Sequence, residues 1–165
     1  MRKVLYVTGT RADYGLMAST LARMAAHPAL SLQVAVTGMH LSPAYGLTVQ
    51  DIEATGLPIV ARIPTGVDER SVDAMAHGIG QAVIGLTDTL RDHAPDFVLL
   101  LGDRGEMLAG AIAAAPIISR ANFFSGSDDV IKVAVIGCGG RGTGAAVQAL
   151  SSKQNVKIVA MADAF

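Results

Sequence analysis

The chain has 165 residues, of which 51% are apolar and 16% are charged, and its formal net charge is −1. That length suits one domain with a buried core, and the high apolar fraction excludes a disordered chain. A near-neutral charge gives no electrostatic basis for binding nucleic acid or an anionic membrane. No apolar run is long enough to cross a bilayer, and the single cysteine, Cys138, cannot form an intrachain disulfide. These features predict a soluble cytoplasmic protein.

The apolar and polar spacing predicts alternating strands and helices. In chain order these are a strand at Lys3–Val7, a helix at Tyr14–Met24, a strand at Leu32–Thr37, a short helix at Val49–Ala54, a strand at Pro58–Ile63, a long helix at Ser71–His93, a strand at Phe97–Leu101, a helix at Glu106–Ala115, a linker at 116–130, a strand at Ile131–Ile136, a helix at Thr143–Leu150 and a strand at Val156–Met161. Strands that are apolar throughout are typical of a parallel sheet covered by helices on both faces.

This pattern predicts an α/β fold: one doubly wound, Rossmann-like domain over residues 1–165, with three layers and about six parallel strands in the order 3-2-1-4-5-6. In such sheets the loops that follow the strands lie at one edge, where ligands bind. We therefore expect the loops at 8–15, 38–46 and 102–106 to converge.

Composition differs between the two parts of the chain. Residues 1–115 contain all the histidines and a single lysine, whereas residues 116–165 contain three lysines, both asparagines and the only cysteine. This difference suggests a junction near Pro116, between fragments 1–115 and 131–165 joined by the linker.

Arg11 and Asp13 lie where the first strand passes into a helix. Free backbone N–H groups and the helix dipole at such a point suit a phosphate, and arginine can add a forked contact. A solvated turn with an Arg–Asp pair explains the same residues.

Asp103 and Glu106 lie three residues apart at a predicted helix start, and His40 lies in a loop at the same edge. Carboxylates at a helix start are favoured simply as capping groups, and capping is the simpler explanation from spacing alone. A single loop histidine is more often a polar surface group than a ligand contact.

Three segments resemble the hydrolysing UDP-N-acetylglucosamine 2-epimerases of sialic-acid biosynthesis, in order over residues 1 to about 115. They are Val7-Thr8-Gly9-Thr10-Arg11-Ala12-Asp13-Tyr14-Gly15, Thr37-Gly38-Met39-His40-Leu41-Ser42-Pro43 and Gly102-Asp103-Arg104-Gly105-Glu106-Met107-Leu108-Ala109. Members of that family eliminate UDP from UDP-GlcNAc and add water to the glycal, releasing N-acetylmannosamine.

The resemblance implies catalytic roles for Asp103 and His40, with His40 lining the sugar pocket. It implies substrate binding by Arg11, which would contact the UDP phosphates, and by Asp13 and Glu106. Family members continue with a further catalytic segment and a second Rossmann-like domain, neither of which is present in these 165 residues. Because acid–base chemistry needs at least two placed groups, we do not expect full epimerase activity from this polypeptide alone.

A second motif, Gly137-x-Gly139-x-x-Gly142, follows a predicted strand, and Asp163 ends the next strand. In a β–α–β frame, glycines at this spacing are typical of dinucleotide binding, with the acid holding ribose hydroxyls. NAD is the cofactor that this loop suggests, and in this frame dinucleotide binding is favoured over a plain tight turn.

Residues 116–165 also resemble the NAD-binding N-terminus of glucose–fructose oxidoreductase and inositol dehydrogenase-type enzymes, without the catalytic lysine and substrate domain. The sequence therefore suggests a chimera. Three functions stay open: a nucleotide-binding domain without a full catalytic set, an active epimerase or oxidoreductase whose site a partner chain closes in a homo-oligomer, and a non-catalytic protein of recombined fragments. No metal site, nucleic acid or membrane partner is predicted.

Overall fold

The computed structural model describes residues 1–68, 71–120, 131–136, 147, 151 and 156–162. The chain divides into two compact units, residues 1–117 and 118–165. The elements in chain order are β1 (Arg2–Thr8), α1 (Arg11–Ala25), β2 (Leu30–Thr37), two short 3-10 turns (Gly38–Leu41 and Pro43–Tyr45), α2 (Val49–Glu53), β3 (Ile59–Ile63), α3 (Ala74–His93), β4 (Phe97–Leu100), α4 (Gly105–Arg120), β5 (Ile131–Ile136) and β6 (Val156–Ala162).

The first four strands form one parallel sheet in the order β3-β2-β1-β4. In its register, Val4 of β1 lies beside Leu32 of β2 on one side and beside Phe97 of β4 on the other. The predicted α/β class and the order 3-2-1-4 are therefore confirmed. Strands β5 and β6 pair with each other in parallel. A single sheet of six strands is not shown by the described residues and stays a prediction.

The central strand β1 is apolar on both faces because the sheet is covered on both sides. Leu5 and Val7 pack in one core with Leu86 of α3 and with residues of α4. Val4 and Tyr6 belong to the opposite core, which contains side chains from α1 and α2. This alternation produces the three predicted layers and directs the loops after the strands to one edge of the sheet.

The start of α1 and the end of α4 differ from the prediction for local reasons. Helix α1 begins at Arg11 because Thr10 and Asp13 form a reciprocal capping box, in which each side chain bonds the other's backbone N–H. Helix α4 continues to Arg120, five residues into the predicted linker. Pro116 lacks one backbone donor but does not end this Ala-rich helix.

The rest of the predicted linker and most of the predicted helix at 143–150 lie outside the described residues. None of the helices in the described ranges is both long and apolar enough to span a membrane.

Candidate active site

A cavity of about 530 Å³ opens at the carboxyl edge of the four-stranded sheet. Three loops line it. The loop after β2 contributes Met39 and Tyr45, the loop after β3 with the start of α3 contributes Thr65, Val67, Ser71 and Met75, and the loop after β4 with the start of α4 contributes Asp103, Arg104 and Glu106. This is the position at which open parallel α/β sheets bind ligands.

Two helices begin at this cavity, and their free N–H groups give its rim a positive partial charge. The guanidinium of Arg104 adds a full positive charge, with its Nε 3.4 Å from Oε2 of Glu106. Asp103 stands beside it as an exposed carboxylate. The site thus combines features that attract an anion with one exposed carboxylate.

Glu106 lies over the ends of β1 and β2. Its side chain is buried, and a Cβ atom placed on Gly38 would lie 2.7 Å from its Oε1. Gly38 also has a φ of +59°, a left-handed conformation that glycine adopts most readily. The predicted convergence of the loops after β1, β2 and β4 is therefore seen around one carboxylate: a Cβ on Gly9 would also approach Glu106, at 3.4 Å.

Asp13 is buried, and both of its carboxylate oxygens are hydrogen-bonded within the protein. Oδ2 accepts from the backbone N–H groups of Gly9 at 3.2 Å and Thr10 at 2.9 Å, and from the Thr10 hydroxyl at 3.0 Å. Oδ1 accepts from the hydroxyls of Thr8 and Tyr6. Burial, followed by the charge of Asp13, raises the pKa of Tyr6 and keeps that donor protonated. The carboxylate fixes the loop between β1 and α1.

His40 is only 1% exposed and does not line the cavity. Its Nε2 lies 3.0 Å from Oγ1 of Thr8, and its Nδ1 lies 2.7 Å from Oγ1 of Thr48. Tyr14 meets the imidazole edge-on, with ring centroids 6.2 Å apart. The sequence suggested an exposed loop histidine, but the side chain is buried because the end of β1, helix α1 and the rest of the loop before α2 close around it.

Arg11 occupies the first position of α1 with an 81% exposed side chain. Its Nε is 3.8 Å from Oδ2 of Asp51, a loose and solvated pair of little energetic weight. The guanidinium is therefore available to a ligand approaching the start of α1, although it is not among the groups that line the cavity.

The four residues predicted to bind a dinucleotide, Gly137, Gly139, Gly142 and Asp163, lie outside the described residues, so their role stays a prediction. Within the part of the chain that is described, no group of three His, Cys, Asp or Glu side chains could hold a metal ion.

Sequence analysis missed the contribution of the loop after β3. Thr65 and Val67 line the cavity, and Thr65 Oγ1 is buried without a hydrogen-bond partner among the described residues. The signal was present in Pro64-Thr65-Gly66, a turn-forming segment directly after an apolar run. Because neither charge nor histidine marked the segment, nothing in it suggested chemistry.

The fold and this cavity define a Rossmann-like α/β domain with a ligand site at its carboxyl edge. The family profile of UDP-N-acetylglucosamine 2-epimerase matches residues 22–118, more than half of the chain. The chain therefore belongs to the UDP-N-acetylglucosamine 2-epimerase family.

Individual relatives match the same region. UDP-N,N'-diacetylbacillosamine 2-epimerase (hydrolyzing) from Legionella pneumophila is 49% identical over 114 residues, which are 69% of this chain and 30% of the relative. UDP-GlcNAc 2-epimerase from Neisseria meningitidis, solved with UDP-GlcNAc bound, is 25% identical with a TM-score of 0.54, over 68% of this chain and 29% of that one. S. aureus MnaA, solved with UDP, shares the fold, with a TM-score of 0.57 and 20% identity over 70% and 28% of the two chains. The chain spans about 30% of the length of the curated relatives it matches.

Proposed function

We propose that this chain binds a UDP-linked N-acetyl sugar at the cavity and supplies part of a hydrolysing 2-epimerase site, without completing the reaction by itself. One observation carries the proposal: the exposed carboxylate of Asp103 shares a cavity with Arg104 and two helix N-termini, in a chain of the 2-epimerase family. Two of the similar solved structures contain UDP-GlcNAc or UDP, which supports a ligand of this class.

Each proposed role follows from charge and exposure. Asp103 is the acid–base group, because an exposed carboxylate at the edge of a cavity can reach a sugar carbon or its proton. Arg11 meets the UDP phosphates, since its guanidinium is held only by a 3.8 Å contact. Glu106 orients the sugar from beneath, because Arg104 and the two glycines fix its side chain.

Elimination and rehydration at adjacent sugar carbons need one group to remove a proton and a second to return one on the opposite face. Glu106 is buried and paired with Arg104, so Asp103 is the single free carboxylate among the described cavity residues. Acid–base catalysis of this kind needs two placed groups of different role. We therefore propose that these 165 residues bind the nucleotide sugar without completing its turnover.

Isothermal titration with UDP and UDP-GlcNAc, combined with assays of UDP and N-acetylmannosamine release, tests this proposal. We expect the wild-type chain to bind both ligands without completing turnover, Arg11→Ala to bind more weakly, and Asp103→Asn to retain binding. Asp92→Asn is the matched control, because it neutralises an exposed carboxylate at the far end of α3. Absence of binding by the wild-type chain would contradict the proposal. Titration with NAD in the same series tests the separate prediction for the glycine-rich loop.

The sugar itself is a second question, because the 49% identical Legionella relative is named for UDP-N,N'-diacetylbacillosamine. That sugar carries two acetamido groups and a methyl group in place of a hydroxymethyl. The cavity offers apolar contacts from Met39, Val67 and Met75 that suit such groups. We propose the diacetamido sugar as the tighter ligand, and a comparison of its affinity with that of UDP-GlcNAc decides between them.

A further inference from the structure

A continuous chain of hydrogen-bonded side chains runs behind the cavity. It starts at the half-buried Thr48 before α2, passes through His40 after β2 and Thr8 at the end of β1, and ends at Asp13 in α1. Thr8, His40 and Asp13 are 0%, 1% and 8% exposed. The loop between β1 and α1 and the loop between β2 and α2 are therefore joined by one internal chain of polar side chains.

The donor and the acceptor in each of these hydrogen bonds follow from the number of protons that each group carries. As a carboxylate, Asp13 can only accept, so the single hydroxyl proton of Thr8 goes to Asp13 Oδ1. Thr8 then has only lone pairs for His40, whose Nε2 must donate across the 3.0 Å contact. In a neutral imidazole the other nitrogen accepts, and the Thr48 hydroxyl donates to Nδ1 at 2.7 Å. Every member thus has one defined role.

Asp13, at the end of this series of hydrogen bonds, holds the backbone that precedes Arg11. Oδ2 of Asp13 accepts from the N–H groups of Gly9 and Thr10, so the position of this carboxylate fixes the turn between β1 and α1. Gly9 also lies directly beneath Glu106. A shift of Asp13 would therefore move the base of Arg11 and the floor under Glu106 together.

We propose that His40 is a positioning residue: through Thr8 and Asp13 it holds the Gly9–Arg11 turn in its ligand-binding conformation without touching the ligand. The affinity part of this inference rests on the proposed function; the conformational part does not. The assignment departs from the catalytic role that the family resemblance implied for His40, because both ring nitrogens are engaged inside the protein and the ring does not line the cavity.

Charge supports the same role. Burial lowers the pKa of His40, and the charge of Asp13, a hydrogen bond to the Thr10 backbone and the charge of Asp51 offset only part of that effect. The ring is therefore neutral near pH 7, as the directional chain requires. A buried neutral histidine beside two hydroxyls and the Thr10 backbone is suited to orienting a neighbour, since it presents one donor and one acceptor in a rigid plane.

The experiment uses two pairs of variants on the whole chain. Thr8→Val removes the hydroxyl with little change of shape, and Thr8→Ser restores it. His40→Leu removes both ring hydrogen bonds, and His40→Gln keeps a donor that can reach Thr8. Thr89→Val is the matched control, because Thr89 is also buried but bonds Gly85 within α3, remote from the cavity.

Two readouts are measured for each variant: amide hydrogen exchange at Gly9 and Thr10 by NMR, and affinity for UDP. We expect Thr8→Val and His40→Leu to speed exchange at these two amides about tenfold and to weaken UDP binding by a similar factor, as expected for the loss of one buried hydrogen bond. Thr8→Ser and His40→Gln should return both values to within about twofold of wild type, and Thr89→Val should change neither.

Unchanged exchange at Gly9 and Thr10 in either His40→Leu or Thr8→Val overturns the proposal. Faster exchange at all amides of the sheet also overturns it, because His40 would then serve general stability only. If the wild-type chain binds no UDP, the proposed function fails, while local exchange at the two amides still decides whether His40 positions the turn.

Discussion

Replacing Gly78 with alanine probes how closely α3 packs against the loop that lines the cavity. A Cβ atom at this position would lie 2.7 Å from the backbone oxygen of Thr65, a contact that no side-chain rotation can relieve. Gly80, two residues further along the same helix, is exposed and has no heavy atom within 4 Å of such a Cβ. Gly80→Ala is therefore the matched control, with the same chemical change in open space.

The expected magnitudes come from two opposing effects. Alanine in place of glycine inside a helix adds about 0.5–1 kcal/mol to the free energy of unfolding, and this gain applies to both variants. Overpacking at Gly78 costs about 1–3 kcal/mol, because the backbone of Thr65 must move. Gly80→Ala should therefore be more stable than wild type, and Gly78→Ala should be less stable than Gly80→Ala by about 1–3 kcal/mol.

Urea unfolding followed by circular dichroism measures both differences, provided that the denaturant slope stays constant. A titration with UDP-GlcNAc adds a functional readout: Gly78→Ala should bind more weakly, since the displaced Thr65 lines the cavity. Equal stability of the two variants would refute the argument, because it would mean that α3 and the loop after β3 have room to separate.

Three further predictions concern the core, the histidine and the cavity wall. Leu86→Ala should lower the free energy of unfolding by about 2–5 kcal/mol because Leu86 is 0% exposed. The control Leu16→Ala, at a 72% exposed position, should change the free energy of unfolding by less than about 0.5 kcal/mol. Equal losses in urea unfolding would contradict the assignment of Leu86 to the core. Burial lowers the pKa of His40 below its ordinary 6.5, so the unfolded chain takes up the histidine proton before the folded chain does as the pH falls. The stability contributed by neutral His40 is therefore full above pH 6.5 and is lost on acidification towards the folded-state pKa. Urea unfolding from pH 8 to 5 should show a steeper loss of stability in wild type than in His40→Gln, and parallel curves would disprove this prediction. Ser42→Ala should weaken UDP-GlcNAc binding without unfolding the chain, because the Ser42 hydroxyl donates to Asp68 and so links the loops after β2 and β3, both of which line the cavity. An unchanged affinity would exclude a role of this hydrogen bond in shaping the cavity.

The sheet could be predicted from sequence because its strands are short, continuous apolar runs. Lys3–Val7 and Phe97–Leu101 stood out for this reason, and the parallel order followed from the helices between the strands. The capping box at Thr10 was not predicted, although threonine followed three residues later by an acid is a known helix start. In the structure, capping and loop fixation explain Asp13.

The burial of His40 could not be predicted in the same way. Its environment is made by Thr8 and Thr48, which are 32 positions before it and 8 positions after it. No local sequence pattern encodes a contact between the end of β1 and the loop after β2. The position of Thr65 at the cavity could not be predicted either. A small hydroxyl residue after a strand is common, and it becomes informative only once α3 packs against it.

The central position of β1 has a consequence for how this unit forms during synthesis. Lys3 donates its backbone N–H to Asp96, which is 93 residues later, and β4 follows immediately. Until β4 leaves the ribosome, one edge of β1 lacks its partner, and such long-range closure is slow. The turn before Arg11 and its buried histidine can assemble early, from the first two strands. Asp103 and Glu106 arrive with the last segment of this unit, so the cavity that they line is complete only when the sheet closes.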